Sequence, residues 1–149
     1  MSQLIADASA LVSLGIVTDD DPDPLALCLS RYEVVVPTAV IDELQEIASY
    51  DDVHGHAASA VLDQTKSFTT QSVDLDAEFP LDDGENAAAT LANELDAALF
   101  LCDEFNQLGL IHASLADTRF VTTPTLLSVL VRTEHLSAAD ARLLLDAIS

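Results

Sequence analysis

The chain has 149 residues, 50% of them hydrophobic, the size of one ordinary domain with a sizeable core. Its 26 Asp and Glu against five Lys and Arg leave a net charge of −21, and these acids are spread through segments of strong apolar periodicity, which excludes a disordered acidic chain. No apolar run approaches the ~20 residues that cross a bilayer, and no basic region precedes an apolar one at the amino terminus, so a single cytoplasmic domain over residues 1–149 is expected.

Residues 3–6 read as a short strand, and 8–16 as a helix carrying Leu11, Val12 and Leu14 with a stop near Gly15. The acidic TDDDPDP is a solvated turn, after which Pro24 can start a short helix through PLALCLSR. YEVVVP is a buried strand closed by Pro37; Thr38 is a reasonable N-cap for a helix to about Ser49, and a second helical stretch covers about Val53 to Lys66. SFTTQSV reads as a third strand, LDDGENAAATLANEL as a helix and AALFLC as a strand. FNQLGLIHASLA is an irregular or partly helical link and TRFVTT a last strand. Two helices close the chain, one from Pro124 through TLLSVLV and one from Ser137, where Ser137 and Asp140 form a capping pattern. Strands this short and apolar, alternating with helices, predict an α/β fold, a three-layer α/β/α sandwich around a mainly parallel sheet of four or five strands. Cys28 and Cys102 lie far apart without CxxC spacing and read as small buried hydrophobes.

Among so many acids, position must do the sorting. Asp7 follows LIA and Asp103 follows LFLC, each at the carboxyl end of a strand expected to be central, the edge where open α/β sheets bind ligands. Two carboxylates brought together there repel, and a divalent cation choosing hard oxygen ligands is the usual remedy. The plainer account is that each accepts bonds from the amides of the next turn. In the helix after Pro37, Val40, Ile41, Leu44, Ile47 and Ala48 form an apolar stripe; Asp42 and Glu46 point away from it, and Glu43 lies on its border. A border acid near a helix start can lean over the strand ends, or simply be solvated in a favourable dipole position. Glu85 is equally open to two accounts, since Asp82 as N-cap with Glu85 three residues later makes a capping box.

Taken in order, these acids and the segments IADASALVSLG, VVVPTAVIDEL, LDDGENAAATLANE, LFLCDE and VTTPTLLSVLV resemble the PIN domain, a family of metal-dependent ribonucleases, over essentially the whole chain. The GE pair, with a late TP before an apolar helix, is most like the stand-alone archaeal members related to VapC toxins. The resemblance implies that Asp7, Glu43, Glu85 and Asp103 form an acidic site for Mg2+ or Mn2+, with Ser9 a polar neighbour, and that the reaction is hydrolysis of an RNA phosphodiester. It further implies an antitoxin-like partner, and a homodimer paired through helices, for which TLLSVLV and ARLLLDAI supply apolar surface. Many members have Asp as the third acid and Ser or Thr two residues before the fourth; here Glu85 and Leu101 stand in those places, and Glu104 and Asp117 are additional candidate ligands.

An acidic chain with a single lysine also resembles proteins of salt-loving archaea, in which self-repulsion is screened because the Debye length falls to ~3 Å at 1 M. Molar salt removes much of the electrostatic drive for binding phosphates, so the want of a basic patch says little against an RNA substrate. Arg31, Lys66, Arg119 and Arg132 are the few groups able to meet phosphates, and surface arginines are more often partners of acids. His54 and His56, two apart at a helix start, diverge and make a poor metal pair. The competing account is a PIN-like module that binds a partner through a weak or silent acidic site; Mn2+ binding separates the two. A phosphoacceptor receiver domain fits the strand–helix alternation but lacks its paired acids and its late lysine.

Overall fold

The computed structural model describes residues 1–104 and 106–148; Phe105, which opens the expected link, and Ser149, the last residue, lie outside the described residues. The elements are β1 (Gln3–Ala6), α1 (Ala8–Ile16), α2 (Pro24–Arg31), β2 (Glu33–Pro37), α3 (Thr38–Ala48), α4 (Val53–Leu62), β3 (Thr69–Gln71), α5 (Asp83–Leu95), β4 (Leu99–Leu101), α6 (Leu108–Ser114), β5 (Arg119–Val121), α7 (Thr123–Arg132) and α8 (Ala138–Ile148). The strands form one sheet in the order β3-β2-β1-β4-β5, with every neighbouring pair parallel.

Because successive strand side chains point to opposite faces, the apolar runs divide between two cores. Leu4, Ala6, Val34, Val36 and Leu101 pack with Leu11, Leu14, Val40, Leu44 and Val61 of α1, α3 and α4. On the other face Ile5, Val35 and Phe100 pack with Ala88, Leu91 and Ala92 of α5 and Ile111 of α6. The result is the expected α/β/α sandwich with a sheet of five strands. A third cluster joins Leu127 and Leu130 of α7 to Leu144 of α8 and Val17. Among the described residues no helix is long and apolar enough to cross a membrane.

Helix α1 covers Ala8–Ile16 as expected, with Val17 as C-cap. Gly15 in its last turn also serves packing, since a Cβ there would collide with the Ala57 carbonyl and so hold α1 and α4 apart. Local differences from expectation have physical causes. The N-cap of α3 is Pro37, whose extended backbone ends β2, while Thr38 is the first helical residue and hydrogen-bonds Ser72 with its hydroxyl (2.9 Å). The strand expected over SFTTQSV is limited to Thr69–Gln71, exposed throughout, as suits a short edge strand. The helical stretch expected to Lys66 ends at Leu62 and is followed by a 3-10 turn at Thr65–Ser67.

Candidate acidic site

All strands of a parallel sheet end on one edge, and helices that follow them begin there. Asp7 directly follows β1 at that edge. Its amide donates to the Leu101 carbonyl (2.9 Å), which holds it against the end of β4. Only 3% exposed, its carboxylate accepts through Oδ2 from the Ser9 hydroxyl (3.2 Å) and the Cys102 thiol (3.4 Å), while Oδ1 is buried with no hydrogen-bond partner. Burial pushes the Asp7 carboxyl above its ordinary range and the charge of Asp82 adds to that, against the opposing bonds from Ala8, Cys102 and Ser9.

Glu43 and Glu85 converge on the same place from α3 and α5. Glu43 is half-buried; burial first, then repulsion from Asp7, Asp82 and Glu46, raises it to about 7. Its Oε2 would stand 2.5 Å from a Cβ added at Gly84, so the missing side chain of that glycine gives the carboxylate its room. Glu85, 5% exposed, rises to about 8 through burial, then Asp82, Asp7, Glu104 and Glu43. Asp82 is the N-cap of α5, accepting from the Glu85 amide (2.8 Å), yet Glu85 Oε2 is buried without a partner. Asp82 thus caps as expected, but Glu85 keeps a buried oxygen that no cap consumes.

Asp103 is placed differently. Its two oxygens accept from the amide (2.7 Å) and hydroxyl (2.6 Å) of Thr123 at the start of α7, while its own amide donates to Ser9 Oγ (3.0 Å). Ser9 therefore joins Asp103 to Asp7 through one hydroxyl. The charge from this loop that acts on Glu85 is that of Glu104, whose Oε1 also accepts from the Asn106 amide (2.7 Å). Asp117 is exposed and precedes β5, at the opposite edge of the sheet, so the fold does not bring it to the other acids. Arg31 and Lys66 precede β2 and β3, and Arg119 begins β5, so these cations stand at that far edge too. His56 pairs with Asp51 at the surface (3.0 Å) rather than with His54.

Between α3 and the start of α5 opens a cleft of about 510 Å3, lined by Asp42, Glu43, Glu46, Asp82 and Asp83 with Ala39 and Gly84. Sequence reasoning missed three supports of the acidic residues. Asp82 is a source of field as well as a cap, Gly84 is a cradle for Glu43, and Thr123 holds Asp103. The last was legible in principle, because a helix start after a strand adjacent to β4 must lie beside the residue that ends β4.

Two buried carboxylate oxygens without partners, in a donor set made wholly of hard oxygens and unrelieved by a cationic side chain, fit a divalent cation. Among the described residues, no three His, Cys, Asp or Glu side chains are drawn together tightly enough to hold a metal ion as they stand. Asp7, Glu43 and Glu85 are the groups that would converge on one.

Five parallel strands between two helical layers, with carboxylates over the strand ends, make an α/β sandwich with an acidic site at its carboxyl edge. The family model described as PIN domain matches residues 3–148, and the chain belongs to that family. PIN domains are generally nucleases that use divalent metal ions. In fold the chain is similar to the PilT N-terminus domain protein SSO1118 from Sulfolobus solfataricus P2, with a TM-score of 0.57 and 15% identity over 85% of this chain and 92% of that one. It is likewise similar to PAE2754 from Pyrobaculum aerophilum, with a TM-score of 0.57 and 17% identity over 91% of each. Comparison with curated proteins finds no match.

Proposed function

We propose that this chain is a Mg2+- or Mn2+-dependent endoribonuclease that hydrolyses RNA phosphodiesters at the carboxyl edge of the sheet. Asp7, Glu43 and Glu85 hold the cation, and Asp103, tied to Asp7 through Ser9, completes the acidic site. The observation that carries this is the pair of buried, partnerless oxygens, Asp7 Oδ1 and Glu85 Oε2, on one edge. Such atoms are costly unless a ligand compensates them. When bound, a divalent cation supplies Lewis acidity, giving a more acidic water and a counter-charge for the scissile phosphate. Ser9 and Cys102 fix Asp7 by donating to Oδ2, which leaves Oδ1 as the oxygen turned to the ligand. Asp103 orders the start of α7 through Thr123 and so fixes the wall of the site. Glu43 and Glu85 release protons when the cation binds, which makes binding strengthen as pH rises through about 7 to 8.

The finer reading, a toxin with an antitoxin-like partner, is supported by the VapC-like motifs of the sequence alone; a gene for a small DNA-binding protein directly upstream would support it further. Calorimetric titration with Mn2+ and a cleavage assay in molar KCl test the enzyme. Cation binding and cleavage by the native chain, with both lost in Asp7→Asn, are the expected outcome. A chain that binds no Mn2+ and cleaves no RNA is the partner-binding module instead.

A further inference from the structure

We propose that a second cleft, beside the acidic site, is a nucleobase subsite in which Tyr50 and His54 hold one unstacked base of a single-stranded RNA. This rests on the nuclease reading above and narrows its substrate class. The cleft has a volume of about 520 Å3, within the ~300–1,000 Å3 typical of small-ligand sites. Val12 and Ile47 contribute its apolar lining, Ser9 and Asp103 its polar lining, and the exposed Tyr50 and His54 its rim.

Continuity with the acids comes through Ser9, which donates to Asp7 Oδ2 and accepts from the Asp103 amide, so a base in this cleft would leave its phosphate next to the carboxylates. The rim also offers an aromatic face to water, since Tyr50 is 56% exposed. Neither the Tyr50 phenol nor the His54 imidazole makes a hydrogen bond among the described residues, so both are available to a ligand. Finally, no Lys or Arg lines the cleft, whose charged groups are Asp52 and Asp103. With a net charge of −21 and no cation in the cleft, protein–phosphate attraction contributes little here, and salt removes what there is. Stacking on an aromatic face needs no cation and accepts any base. A duplex keeps its bases stacked on one another, which restricts the cleft to unpaired strands.

The test is equilibrium binding of a fluorescein-labelled single-stranded oligoadenylate, with chelator present so that no cleavage intervenes, across the range of KCl in which the chain stays folded. Tyr50→Ala should weaken binding about tenfold and Tyr50→Phe should retain it, as a lost stacking contact requires. His54→Ala should weaken it as well, and the same oligomer made abasic should bind the native chain no better than oligoadenylate binds Tyr50→Ala. Affinity should change little with salt. In Mn2+-dependent cleavage, Tyr50→Ala should raise KM and leave kcat nearly unchanged. Equal binding by the native chain and Tyr50→Ala, or affinity that collapses as KCl rises, overturns the subsite. Cleavage by Tyr50→Ala at the native KM overturns the subsite and leaves the nuclease reading standing. Base-dependent binding by a native chain that cleaves nothing keeps the subsite and overturns the nuclease reading.

Discussion

Buried among Asp7, Glu43, Asp82 and Glu104, the Glu85 carboxyl keeps its proton up to about pH 8, so near pH 6 a glutamine in its place is a near-isostere of the native group. Glu85→Gln should therefore leave the metal-free melting temperature almost unchanged at pH 6. It should raise that temperature above pH 8, where the native side chain must carry a buried and uncompensated charge. A cap accepts Gln as well as Glu, whereas a hard cation loses a charged ligand; Mn2+ binding by calorimetry should fall severely. Unchanged binding would make Glu85 a cap only. Asp7→Asn and Asp103→Asn should both abolish Mn2+-dependent cleavage, but differential scanning calorimetry should tell them apart. Asp103→Asn weakens two charge-assisted bonds to Thr123 and should cost about 1 kcal/mol. Asp7→Asn replaces a buried carboxyl whose charged form burial disfavours and should leave the metal-free chain at least as stable.

Helices set the site, and two glycines show how closely. A Cβ at Gly84 would crowd the far end of the flexible Glu43 side chain and make ordinary contact with Asp82 Oδ1, so Gly84→Ala should cost little in folding, and a helix gains up to about 1 kcal/mol from Ala over Gly. The same methyl displaces Glu43 from its cradle, so Mn2+ affinity and cleavage should drop together while the melting temperature holds. Gly15→Ala is its opposite. There the methyl meets the backbone of α4 at Ala57, and separating α1 from α4 should cost about 1–3 kcal/mol in denaturant unfolding. A Gly84→Ala protein with native Mn2+ affinity would remove Glu43 from the ligand set.

At the scale of the molecule, the buried acids gather at one edge of the sheet, while Arg31, Lys66 and Arg119 stand at the other. Asp7, Glu43 and Glu85 all hold protons more tightly in the folded chain than in the unfolded one. The folded state therefore binds more protons between the ordinary carboxylate range and about pH 8. Metal-free stability is full below that window and falls as pH rises through it. Thermal melts from pH 5 to 9 should show this decline, and saturating Mn2+ should reverse it; a metal-free chain that gains stability toward pH 8 would contradict the placement of these carboxyls. The net charge of −21 adds a separate expectation, that the melting temperature rises steeply from low to molar KCl as repulsion is screened. A flat response would remove the resemblance to salt-loving proteins. Between α7 and α8, Pro124, Leu127, Val131 and Ala141 line an apolar groove, and Leu143 of α8 is 68% exposed. Pairing of two copies through these helices should give a dimer by sedimentation in molar salt, against a 15.8 kDa monomer if they do not pair.

The sequence by itself determined the elements, the parallel sheet and the family, because each rests on local pattern. Runs such as LIA, EVVVP and LFL are apolar on both faces and can be satisfied only between two helical layers. The same rule carried Asp7 to the strand edge, since a residue that ends a central parallel strand has nowhere else to go. Tertiary structure alone decided how the acids divide. Glu43 and Glu85 have equal claims to solvent along their own helices, and only the packing of α3 against the start of α5, where Gly84 leaves room for the Glu43 carboxylate, buries both beside Asp7. For Asp103 it decided that both carboxylate oxygens are taken by Thr123, a residue twenty positions away in the chain. Gly15 reads only as a residue near a helix end, and its packing role shows once α4 is laid against it. Periodicity reports which side of an element is dry, and only the packing of one element on another determines which charge is left without a partner.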